Sequence, residues 1–403
     1  MTTLRRRFAA AVVAVMSATV VATTVPAGPA SALTPEPAPD WSGLDVRDYS
    51  GPIPQRAGTL ITTRAMAPSL SLPNAASAHR ILYSTTNQFD RRAVSTGAVF
   101  IPRGTPPRGG WPIMAWAHGT VGMGDDCAPS AQVHEAGEAA YLGHWLARGY
   151  AVVATDYVGQ GTPGLLSYLN GVTAAHSVAD SVVAARQMSL PLARKWVAVG
   201  HSQGAGAALS TARFADQFTA GSGLDYRGVV ATGAPANIES VLQLAGPQFP
   251  PVMLPRALNG YALYILAGFR DARPDLPVNA LLTPLGRRLT DIAGTTCGKQ
   301  LRPFARGLDL RKLFTRPIDT IPGIYAALRE YLGTPDSGYT RPVLLGQGLL
   351  DVNVPAPAAL SLAAQMTASR QPLELRVYPG ADHPGVLRAV LPDADRFLDR
   401  ITR

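Results

Sequence analysis

Short apolar runs recur along this chain, and between them apolar residues return at every third or fourth position. The runs at 57–64, 79–84, 98–102, 111–117, 150–155, 196–199, 228–233, 342–347 and 373–378 have the length and the β-branched or aromatic content of strands. The stretches 132–148, 171–189, 205–218, 357–370 and 385–400 have helical spacing. Buried strands alternating with helices predict an α/β fold, a mainly parallel sheet flanked by helices on both faces. From 237 to 340 the alternation stops. That stretch holds helical pieces, many prolines and apolar runs such as 261–266, and about a hundred residues is too long for a structureless loop. It reads as a helical cap, inserted between two core strands over the carboxyl edge of the sheet. Within it the run 254–269 is broken by Arg256, Asn259 and Gly260, which argues against a membrane span.

The first residues follow a different pattern. Arg5-Arg6-Arg7 precedes an Ala/Val-rich apolar run over 8–25, and Ala30-Ser31-Ala32 supplies small residues for cleavage. This is the layout of a secretory signal peptide cut after Ala32, with twin-arginine and general export both open. The expected organisation is then a leader at 1–32, a loosely held arm rich in Pro, Ser and Asp at 33–54, and a core at 55–236 and 341–403 interrupted by the cap at 237–340. The chain carries 36 basic and 27 acidic side chains, a net +9, and loss of the leader's three arginines leaves +6. No basic run or basic–aromatic interleaving stands out, so the charge reads as solubility and weak steering, with no nucleic-acid partner. In an exported chain an isolated pair of cysteines, Cys127 and Cys297, reads as a disulfide more readily than as a metal site. No cluster has zinc spacing, and His134 and His144, ten apart on one predicted helix, face different directions. No metal or cofactor is expected.

The chemistry centres on Gly200-His201-Ser202-Gln203-Gly204, which lies between the strand at 196–199 and the helix at 205–218. Strand, tight turn and helix around Gly-x-Ser-x-Gly form a nucleophile elbow, in which larger residues at either glycine would clash. A serine hydroxyl needs a base within hydrogen-bond reach and a group to orient that base. In this arrangement the partners follow in the order serine, acid, histidine, each after a strand. His383, after the strand at 373–378, is the sole histidine beyond Ser202, which makes it the base by elimination. Asp351, after the strand at 342–347, is favoured as the acid over Asp382, whose place beside His383 points it elsewhere. Negative charge on a tetrahedral intermediate needs preorganised donors. The N–H of Gln203 at the helix N-terminus is the first, and the loop His118-Gly119-Thr120 supplies the second, with Thr120 preferred and Gly119 next to it.

Asp156-Tyr157-Val158-Gly159-Gln160-Gly161-Thr162-Pro163-Gly164, Cys127-Ala128-Pro129-Ser130 and the elbow together resemble the secretory lipase family, the lipase A type of α/β-hydrolase, from about Leu60 to the C-terminus. The resemblance implies an α/β-hydrolase fold with an inserted helical cap, and a secreted esterase or lipase acting on carboxylic esters such as acylglycerols or other lipid-like esters, with the lipid–water interface as a working surface. It implies Ser202 as nucleophile, Asp351 as acid, His383 as base, and pairing of Cys127 with the cap cysteine Cys297. The further cysteines often found in relatives are absent here. A secreted acyltransferase, passing the same acyl group to an alcohol, is the alternative; residue types alone do not separate water from an alcohol as acceptor.

Overall fold

The computed structural model describes residues 37–251 and 254–403. The leader and its cleavage after Ala32 lie outside the described residues. In chain order the elements are β1 (Leu60–Ala65), β2 (Ala75–Thr86), β3 (Arg92–Pro102), β4 (Trp111–Ala117), α1 (Ala136–Ala147), β5 (Ala151–Thr155), α2 (Gly171–Ala185), β6 (Leu192–His201), α3 (Gln203–Phe218) and β7 (Asp225–Thr232). Then come α4 (Glu239–Leu242), α5 (Arg256–Ala272), α6 (Val278–Leu281), α7 (Pro284–Thr295), α8 (Gly298–Ala305) and α9 (Ile324–Leu332). The chain closes with β8 (Val343–Gly348), α10 (Ala356–Ala368), β9 (Leu373–Tyr378), α11 (Gly385–Ala389) and α12 (Leu391–Thr402).

Nine strands form one sheet in the order β1-β2-β3-β5-β4-β6-β7-β8-β9. The six from β5 to β9 are parallel, and β1, β2 and β3 run antiparallel at the other edge. Parallel strands are covered on both faces. One face buries Ile113, Ala198 and Val229 against Val178 and Val182 of α2 and Leu209 of α3. The other packs Trp116, Val199 and Leu344 against Trp145 of α1 and Phe397 of α12. Leu263, Phe269 and Leu281 of the insertion share the first of these cores. The insertion therefore packs into the body of the molecule. Its ends leave β7 and return to β8, which are hydrogen-bonded neighbours.

The expected strands at 111–117 and 373–378 coincide with β4 and β9, whereas β2 and β3 extend well beyond their apolar centres into a long hairpin. Polar residues continue that hairpin because its ladder needs only backbone groups. The helix expected at 385–400 is two, since Pro392 sits in the first turn of α12. The described part of the arm is not loose. Leu44 and Val46 are buried with Leu82 and Val94, and Asp40 N–H donates to Ala131 O at 2.8 Å. Its few apolar residues anchor it although Pro and Asp dominate its composition.

Candidate active site

The loops that follow β4, β6, β7, β8 and β9 share the carboxyl edge of the sheet. Ser202 stands between β6 and α3 with φ 59° and ψ −123°, a backbone conformation that costs free energy in a non-glycine residue. The elbow's glycines permit it. A Cβ at Gly200 would lie 2.0 Å from Gly204 O, and one at Gly204 would lie 1.9 Å from Ala117 O. Ser202 N–H donates to Thr232 O at 2.9 Å, which fastens the turn to β7.

His383 Nδ1 is 2.6 Å from Asp351 Oδ2. The other carboxylate oxygen, Oδ1, accepts the N–H groups of Asn353 at 2.9 Å and Val354 at 2.8 Å. With both oxygens occupied, Asp351 has one orientation to offer, and the Nδ1–H that donates to it leaves Nε2 as the free lone pair of a neutral imidazole. Asp382, by contrast, accepts Gly385 N–H at 2.9 Å and caps the turn into α11. Gly233, with φ 60°, lies against the pair: a Cβ there would sit 3.3 Å from His383 Nδ1 and 3.4 Å from Asp351 Oδ2. The ring of His201, next to Ser202 in the elbow, is 4.5 Å from that of His383, centre to centre, and its Nδ1 meets Thr232 Oγ1 at 3.0 Å. Burial and the neighbouring His383 push His201 down to about 3, so it is a neutral ring in ordinary conditions.

The loop after β4 lies against the elbow, since a Cβ at Gly119 would be 3.6 Å from Ser202 Cβ. His118 Nδ1 donates to Gly119 O at 2.7 Å, and its ring packs on Tyr157 at 4.4 Å. Burial depresses this histidine too, so the loop is braced without a charge. Tyr157 O–H donates to His118 O at 3.1 Å. Thr120 Oγ1 meets the Tyr168 phenol at 2.6 Å, and the Tyr168 ring packs against Tyr264 of α5 at 5.4 Å. Gln203 opens α3 directly after Ser202, where helix N–H groups lack intrahelical acceptors.

The Asp156–Gly164 segment supports this loop. Asp156 accepts the N–H of Ser130 at 2.8 Å, the Ser130 hydroxyl and Thr96 Oγ1 at 2.7 Å, and it faces the buried Arg80 guanidinium at 3.7 Å. Gln160 Nε2 donates to Gly122 O at 3.1 Å. A disulfide joins Cys127 to Cys297, with Cα atoms 5.4 Å apart. Around it Gly298 N–H donates to Val121 O at 2.7 Å, and Met123 N–H to Thr296 O at 3.1 Å. The loop after β4 is thus tied to the insertion through covalent and backbone bonds. His134 and His144 have unrelated partners, Glu138 at 3.3 Å and Asp395 at 2.8 Å. Among the described residues no group of three or more His, Cys, Asp or Glu side chains could hold a metal ion, and no helix is long and apolar enough to cross a membrane.

The architecture and the elbow invite comparison with known proteins. Residues 130–277 match the secretory lipase family. The matched stretch runs from Ser130 through Asp156 and Ser202 into the insertion; Thr120, Asp351 and His383 lie outside it. No curated protein sequence matches the chain. Among solved structures, Candida antarctica lipase A in its closed state is similar with a TM-score of 0.70 and 20% identity, covering 88% of this chain and 86% of that one. The rice cell wall degrading esterase LipA from Xanthomonas oryzae is similar with a TM-score of 0.68 and 18% identity, over 86% of this chain and 100% of that one. The fold is that of the α/β-hydrolases. The match to the secretory lipase family covers 148 of the 403 residues.

Sequence reasoning named Ser202, Asp351 and His383, and these lie on loops at one sheet edge, after β6, β8 and β9. It missed Gly233, the ring contact of His201, and Tyr168. The first had a faint signal, a glycine directly after a strand; the other two had none.

Proposed function

We propose that this chain is a secreted serine esterase or lipase that hydrolyses carboxylic esters of lipid-like character through an acyl-enzyme. The observation that carries the reading is the hydrogen-bonded His383–Asp351 pair beside the strained elbow of Ser202. Ser202 Oγ attacks the ester carbonyl carbon as His383 Nε2 takes its proton, and the Nδ1–H bond to Asp351 steadies the imidazolium. The N–H groups of Gln203 and Thr120, with Gly119 giving the backbone room, donate hydrogen bonds to the negatively charged carbonyl oxygen. Collapse breaks the bond to the alkoxy oxygen, which leaves with the proton from His383. Water then attacks the acyl carbon as His383 takes its proton, and collapse of the intermediate breaks the bond to Ser202 Oγ, which leaves with that proton as the acid is released.

One feature favours an apolar substrate. Leu349, Leu350 and Val352, flanking Asp351, are exposed at the rim, 45%, 58% and 60% respectively. Beside Gln203 a narrow cavity of about 20 Å³ is lined by apolar Leu166, Leu169 and Leu332 and by polar Ser167, Asn170 and Ser210. It has room for one water, so a long acyl chain needs the insertion, read here as a cap, to give way. Export fits the secretory lipase match and the disulfide.

Ser202→Ala is expected to lower kcat on p-nitrophenyl esters by about 10⁴ to 10⁶. A purified variant that keeps near wild-type turnover would overturn the reading.

A further inference from the structure

The charge of this chain is unevenly placed. Residues 284–316, covering α7, α8 and the turns after them, hold eight basic and two acidic side chains, a net +6. The rest of residues 33–403 holds 25 of each sign and is neutral. The excess was invisible as a run because the basic residues are spaced through two helices and a turn. Folding gathers three of them around one groove of about 400 Å³. Its rim carries Arg288, Arg306 and Lys312, and its apolar surface includes Leu285 and Phe304. These two apolar side chains are 42% and 40% exposed although they sit among cations.

The groove is built into the fold. Thr283 caps α7 by accepting Gly286 N–H at 3.1 Å, while its own hydroxyl donates to Lys312 O at 2.8 Å. The buried amide of Asn259 on α5 donates to Ala305 O at 3.0 Å and Leu308 O at 3.1 Å, which fixes the loop carrying Arg306. The cations are available. Among the described residues no ion pair involves Arg288, Arg306 or Lys312, and the one acid of the groove, Asp309, is held by both arms of Arg311 at 2.9 and 2.8 Å. Cations around projecting apolar side chains match a surface with anionic groups outside and hydrocarbon beneath. A polyanion without hydrocarbon would leave Leu285 and Phe304 unused.

We infer that this groove docks the protein onto lipid surfaces bearing anionic head groups. The inference rests on the proposed function for its choice of a lipid partner, but its test does not use catalysis. The probe is vesicles of phosphatidylcholine, alone or with 30 mol% phosphatidylglycerol, sedimented with the full mature chain carrying Ser202→Ala, so that no lipid is consumed. The expected result at low salt is partitioning onto the anionic vesicles at least tenfold above that onto the neutral ones, largely lost in 0.5 M NaCl. Neutralising the rim with R288Q/R306Q/K312Q should weaken binding about 100-fold, each basic group near such a surface being worth about fivefold. Phe304→Ser should weaken it about tenfold. In the Ser202 background the triple variant should keep wild-type turnover on soluble p-nitrophenyl butyrate, which shows that it is folded and separates this inference from the assignment of the serine. Equal binding to both vesicles, or an unchanged triple variant, would overturn the inference. So would binding to heparin as tight as to vesicles together with no effect of Phe304→Ser, which would mark a polyanion site.

Discussion

Thr120 is held through its side chain as well as its place in the loop. Either hydroxyl of the pair can donate across the 2.6 Å contact, which ties the Thr120 side chain to Tyr168. The backbone of 166–168 is in turn pressed by α5: a Cβ at Gly268 would lie 2.8 Å from Tyr168 N. Tyr168→Phe is therefore expected to lower kcat about tenfold with KM little changed. Thr120→Val should lose at least as much, Thr120→Ser should recover most of it, and Tyr168→Phe should add little on top of Thr120→Val. Losses that multiply in the double variant would show the two residues acting separately. At this scale the sequence exposed what chemistry demands by type and order: a serine in an elbow, a sole later histidine, an acid after a strand. It hid residues that act by position. Tyr168 has no motif, and its contact with Thr120 spans 48 positions.

Helix α2 shows how an element carries a hidden charge to the core. Its buried face includes Val178 and Val182, yet Asp180 is also buried, taking a hydrogen bond from Thr85 of β2 at 2.8 Å. Burial pushes the Asp180 carboxyl up to about 7, against the hydrogen bond from Thr85. The nearby His176 is pushed down to about 4, also by burial, and stays neutral above that. Because the folded protein holds the Asp180 proton more tightly than the unfolded chain, this site's contribution is most favourable below about pH 4 and declines as pH rises toward 7. The whole change is at most about 4 kcal/mol. Asp180→Asn, which stays neutral, should gain in Tm relative to wild type between pH 5 and pH 8. A difference in Tm that is the same at both pH values would contradict this. The helix itself was legible from its spacing; its buried aspartate was not, because a polar residue within an apolar stripe looks like an edge of the stripe. The docked arm was obscured similarly. Its anchor is two buried apolar residues, Leu44 and Val46, and the backbone oxygen of Leu44, which takes a hydrogen bond from Arg80 at 3.3 Å.

At the scale of the molecule, the insertion meets the sheet through a shared apolar core, backbone bonds around Gly122 and Cys297, and the disulfide. The bridge spans 170 positions, for which the chain-entropy account gives an upper value of roughly 5 kcal/mol. Cys127→Ala with Cys297→Ala should lower Tm by many degrees, measured in non-reducing buffer, and reducing agent should lower wild-type Tm toward that of the variant. A variant as stable as wild type would mean the backbone bonds and core suffice. The helical nature of 237–340 was legible because no strand pattern survives there, but its folding was not, since its helices find their places by contacts with β-strand loops far away in the chain. Leaving and re-entering through neighbouring strands makes the insertion a cassette. Its two ends meet the core where an exchange of one helical set for another leaves the sheet's register untouched. The disulfide limits that freedom: a replacement cassette must bring a cysteine to the position of Cys297, or Cys127 is left as an orphan thiol beside the site. Lineages or engineers that trade one cassette for another are thus held to keep one covalent rivet.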